Sequence, residues 1–153
     1  MRIVSSSVFL AAITLVSASS VVIAQGGKPA PVTVEQHAAT MKMIQQNVGA
    51  ANKALKGGDA AAATPAAEAL VTAFTTIETF YTQRNKPDAI KLAQTAKTGA
   101  QDVVAALKAG DTMKAQMSLA NTQGTCKQCH GMYREGDAQT GYKFNAASGI
   151  TPP

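Results

Sequence analysis

From residue 34 onward, apolar side chains return every three or four positions in four successive runs, each stopped by glycine, proline or a polar cluster. The first run is Val34, Met41, Ile44, Val48, Ala51 and Leu55, a repeat that predicts an amphipathic helix from Val34 to Lys56. Thr33, followed three residues later by Gln36, resembles a capping box at its start, and Gly57-Gly58 stop it. Ala67, Leu70, Val71, Phe74, Ile77 and Tyr81 predict a second helix, capped by Asp59 or Thr64, with Pro65 tolerated in its first turn and an end around Arg84 to Pro87. Ile90, Ala93, Ala96, Ala100, Val103, Val104 and Leu107 mark a third, from Asp88 to its stop at Gly110. A fourth starts at Asp111, runs through Met113, Met117 and Ala120, and carries Cys126 to His130 near its far end. No segment alternates with period two for long enough to predict a strand.

Helices of about 20 residues are about 30 Å long. Four of them joined by loops of a few residues predict an all-α fold, an antiparallel up-down-up-down four-helix bundle over residues 33–135. Its many alanines allow close helix approach and leave a thin core. The flanks read differently. Residues 1–24 carry one positive charge at Arg2, then an apolar run broken only by serines and a threonine, then Val22-Ile23-Ala24. That is the layout of a secretory signal peptide cleaved after Ala24, and the run is short and Ser-rich for a membrane anchor. No other stretch reads as apolar and long enough to span, so no stable membrane insertion is expected after cleavage. Residues 25–32 are a Gly- and Pro-rich flexible lead-in, and residues 136–153 an irregular tail in which Tyr142 and Phe144 either tuck against the bundle or move freely.

Removal of residues 1–24 leaves 129 residues, enough for one core, with 13 Lys and Arg against 9 Asp and Glu. The balance is too mild for a nucleic-acid binder, and the lysines form no run. They read as a solvated surface, some of them able to dock an acidic partner. The chain has no Trp, three Tyr and four Phe, one of which, Phe9, lies in the signal. Domains of this size usually bury several large rings, so a bulky cofactor could supply what the sequence lacks.

The chemistry concentrates in Cys126-Lys127-Gln128-Cys129-His130, which holds both cysteines and one of the two histidines. On a helix, Cys126, Cys129 and His130 share one side. Two thiols three residues apart can add to the two vinyl groups of one haem, and the adjacent imidazole can then reach its iron; Cys-x-x-Cys-His is the attachment pattern of haem c. A disulfide between Cys126 and Cys129 would close a tiny loop and stabilise little. A thioredoxin-like pair would need a βαβ setting. Zinc on Cys126, Cys129, His130 and His37 would have to close a tetrahedron around adjacent residues.

This motif on the last of four helices, followed by Gly131-Met132-Tyr133-Arg134, resembles the class II c-type cytochromes: cytochrome c′ and its low-spin, methionine-ligated relatives. The resemblance runs from about Val34 to Glu135, and it implies one covalently attached haem c, with iron, near the C-terminal helix. The residues themselves argue against a conventional enzyme, and with the signal peptide the resemblance implies that the protein works in the periplasm. There it would act as a one-electron carrier between periplasmic redox proteins as donor and acceptor, or alternatively as a five-coordinate cytochrome c′ binding nitric oxide or carbon monoxide. Relatives often form homodimers through their first helices, and the polar face around Met43 neither demands nor forbids one. No paired acid and base or nucleophile and base near a cleft suggests other catalysis.

The second axial position decides between these functions, because an axial Met holds the iron six-coordinate. Met41 and Met43 stand about 200 degrees apart around a helix, so only one faces the core. Met41 shares the stripe of Ile44, Val48 and Leu55, whereas Met43 lies with Gln36, Thr40, Gln46 and Asn47. Met41 is therefore the candidate ligand opposite His130, its alternative being ordinary core filler. The resemblance supports the choice, since its methionine-ligated members place Met followed by Lys where Met41-Lys42 stand. His37 occupies a position where many relatives carry an arginine near the haem propionates. It either hydrogen-bonds a propionate or is a partly exposed helix residue. Arg134 keeps the family's basic position, where it either pairs with a propionate or is a solvated arginine at the helix end.

Overall fold

The computed structural model describes residues 30–151. The signal expected over residues 1–24, and the lead-in up to residue 29, lie outside them. Four helices pack against one another: α1 Val34–Lys56, α2 Ala60–Thr82, α3 Pro87–Lys108 and α4 Thr112–Tyr133. Two short strands, β1 Arg134–Asp137 and β2 Gly141–Phe144, and a 3-10 turn, η1 Ala146–Ser148, follow.

Local chemistry explains the boundaries. The Thr33 hydroxyl accepts from the Gln36 amide while the Gln36 side chain accepts from the Thr33 amide, the reciprocal capping box at the start of α1. Asp59, not Thr64, caps α2 by accepting from the Ala62 amide at 2.9 Å. Pro65 lies beyond the first turn, inside α2. α3 begins at Pro87, whose missing N–H costs nothing at a first helical position, and Asp111 caps α4 through the Lys114 amide.

Consecutive helices pack closely, and α1 touches α4 far less than it touches α2. The core is rich in alanine, with Tyr81, Phe80, Leu70, Leu119 and Val103 as its largest fully buried members. α3 and α4 approach so closely that a methyl group at Gly99 would collide with the Thr122 hydroxyl. This contact explains one departure from the predicted stripes. Met113, Met117 and Ala120 face outward, Met113 being 72% exposed, while Ala115, Leu119 and Thr122 are buried. Close approach selects small residues for the seam and leaves the long thioethers outside.

Three further expectations change. α1 turns His37 and Thr40 into the core beside Ile44, Ala51 and Leu55, and leaves Met41 and Val48 on the flank of that face. α2 is long and apolar enough to cross a membrane by length and composition, with a mean hydropathy of 1.2. Its alanines and larger apolar residues nonetheless line the bundle core, a face that composition alone does not separate from a lipid-facing one. The segment after α4 is not irregular, because β1 and β2 pair antiparallel with Arg134 opposite Phe144 and Asp137 opposite Gly141. Gly136 has φ 85° and any side chain there would strike the Gly141 carbonyl, so a four-residue ladder forms where no long alternation exists.

Candidate functional site

α4 stays helical through Tyr133, so Cys126, Cys129 and His130 project from one side of its last turns. All three are partly buried. They line a cavity of about 30 Å³ together with Met41 of α1, Phe74 and Ile77 of α2, and Leu92, Ala93 and Ala96 of α3. Met41, 85 residues before Cys126 in sequence, therefore meets Cys126, Cys129 and His130 on one apolar space. Met43 is not among its walls and is 48% exposed.

The electrostatics follow from that apolar lining. Burial pushes the Cys126 thiol up to about 11, and burial also raises Cys129. Both thiols are unpaired and protonated at neutral pH, the opposite of the lowered pKa that a thiol-disulfide redox pair needs. Burial first, and then the Arg134 charge, lower His130, so its imidazole is neutral and able to act as a ligand. The Cys129 thiol donates to the Tyr81 hydroxyl at 4.0 Å. Tyr81 is 1% exposed, and burial raises its phenol well above the ordinary range.

The remaining sequence candidates lie beside this cavity rather than in it. His37 is 6% exposed, which removes the reading of a partly exposed helix residue. Its ring lies 4.2 Å from Phe80, 5.6 Å from Tyr81 and 4.9 Å from Phe144, and its Nε2 has no hydrogen-bond partner. Burial, helped by the charges of Arg84 and His130, lowers its pKa to about 4. Arg134 is exposed and stacks 3.9 Å over Tyr142. Among the described residues no group of three or more His, Cys, Asp or Glu side chains is placed to hold a metal ion, and His37 is not among the walls of the cavity that Cys126, Cys129 and His130 line.

Sequence reasoning overlooked the aromatic setting. Phe80 and Arg84 carried no expectation, and Tyr81 read only as part of an apolar face. Arg84 stacks on Phe80 at 3.6 Å and donates to the Val32 carbonyl at 3.0 Å, while the Tyr133 hydroxyl donates to Asp88. The start of α1, the end of α2, the start of α3 and the end of α4 are thereby joined. An i, i+4 spacing of Phe80 and Arg84 was the available signal.

No protein-family model, curated protein or solved structure matches the chain.

Two features bear on whether a haem fits. The donor set does: two thiols at the attachment spacing, a neutral imidazole and a thioether share one apolar cavity. The width requires movement. A space of 30 Å³ holds about one water, whereas chambers for large ligands span about 300–1,000 Å³. α1 packs far less closely against α4 than α3 does, and widening the space between α1 and α4 would disturb fewer contacts.

Proposed function

We propose that the protein is an exported, periplasmic monohaem c-type cytochrome with an up-down-up-down bundle, which carries single electrons between redox proteins. One observation carries this reading: Met41, from the far end of the sequence, lines the same cavity as Cys126, Cys129 and His130. Bound haem supplies one-electron chemistry at its iron. The chain's own residues do the rest. Cys126 and Cys129 would hold the group at two points on one helix face, each through a carbon–sulfur bond to one vinyl carbon with the thiol proton going to the other, a bond that needs no oxidant. His130 supplies a neutral nitrogen on that face and Met41 a thioether from the facing helix. Both donors sit on long helices, which favours oxidation and reduction with little rearrangement. Phe74, Ile77, Ala93 and Ala96 exclude water from the same space.

The test is an absorption spectrum of the protein matured in a host with haem-attachment machinery, oxidised and reduced, before and after carbon monoxide. A low-spin spectrum indifferent to carbon monoxide is expected, and Met41→Ala should turn it high-spin and responsive. A high-spin spectrum that shifts promptly in the unaltered protein would remove Met41 as a ligand. It would favour the five-coordinate form that binds carbon monoxide or nitric oxide.

A further inference from the structure

The segment after α4 folds back over the end of the bundle that holds His37. Phe144 stacks on Phe80 with ring centres 5.7 Å apart and planes 8° from parallel, and closes the third side of the His37 ring. The backbone amide of Asn145 donates to the Tyr133 carbonyl at 3.0 Å, and its side chain donates to the Met132 carbonyl at 2.9 Å. Ser148 and Ile150 are 1% and 8% exposed. The hairpin before them is exposed almost throughout. The segment is thus anchored by Phe144 to Ile150 and is otherwise free of the core.

His37 is beneath this anchor. Its burial among Phe80, Tyr81 and Phe144 depends on a residue that belongs to no bundle helix. It also lies about one helical turn from Met41, four residues and about 6 Å along α1. An imidazole with an unpartnered Nε2 attracts water, and Phe144 occupies one side from which water would come.

We propose that Phe144 to Ile150 is a built-in cover that excludes water and dissolved reagents from His37 and from the Met41 side of the cavity, with Phe144 as its latch. What the cover protects rests on the haem reading, but the cover itself does not.

The experiment treats the full-length holoprotein at neutral pH with diethyl pyrocarbonate, which modifies accessible neutral imidazoles, and follows the His37 peptide by mass spectrometry. The unaltered protein should react slowly, and Phe144→Ala should react at least about tenfold faster, as local opening replaces a closed contact. Asn145→Ala, which keeps Phe144 but removes the side-chain bond to the Met132 carbonyl, should fall between them. If Phe144→Ala does not fold, Asn145→Ala alone decides the matter. In the same proteins, added imidazole should reach the iron faster in the order of His37 reactivity. Equal His37 reactivity in all three would overturn the cover, and unequal reactivity with equal imidazole binding would overturn its reach to the Met41 side. A purified protein with no attached haem would refute the cytochrome reading, while His37 reactivity would still decide the cover.

Discussion

The middle of the bundle and its haem-motif end are built on different terms. The middle is packed on small residues, with Ala100 buried and Gly99 pressed to Thr122. The end is ring against ring, with His37, Phe80 and Phe144 in contact and Tyr81 linking them to Tyr133. Small residues buy proximity between helices. Large rings span wider gaps and bring polar atoms with them: the Tyr81 hydroxyl at Cys129, the Tyr133 hydroxyl at Asp88, the unpartnered Nε2 of His37.

That contrast can be broken most severely at the cysteines. Replacing Cys126 and Cys129 together with Ala should abolish covalent haem, leaving none of the haem absorbance with the denatured protein. Replacing the outward Met113 and Met117 with Leu should leave it unchanged. In the alanine-rich middle, Leu119 is wholly buried, so Leu119→Ala should cost about 3 kcal/mol, read as a lowered urea midpoint.

At the aromatic end the test is acid. His37 binds its proton less well when folded, with a pKa near 4 against 6.5, so the unfolded chain takes up more protons as pH falls. Stability should be complete above pH 6.5 and decline toward pH 4, with about 2 kcal/mol lost between pH 7 and pH 5. Unfolding midpoints measured across that window should flatten in His37→Phe, and an unchanged slope would refute burial as the cause. The smallest effect lies at the edge of both regions: Thr33→Ala removes one half of the capping box and should cost about 1 kcal/mol by thermal unfolding.

Much of this was legible beforehand, for identifiable reasons. Thr33, Gln36, Asp59, Asp111 and the glycines after α1 and α3 act on backbone within a few residues, so the helix limits follow from neighbours alone. Met41 was selected over Met43 by helical phase, and the cavity wall holds Met41. The outward turn of Met113 and Met117 was not legible, because alanines and methionines compete for an inward position and the outcome depends on how near α3 lies. The hairpin was missed because its strands are four residues each and one side of the ladder is set by Gly136 rather than by alternation.

By itself, the order of residues determined four helices, the capping box at the start of the first, and a trio of Cys126, Cys129 and His130 on one helix face, since each depends on separations of one to four positions. Only the tertiary structure decided that Met41 shares their cavity, that His37 is buried and unpartnered, and that Phe144 closes over it. Those facts depend on which surfaces meet across about 40 to 110 residues of chain, where packing distance, set jointly by side chains on several helices, outweighs any local preference.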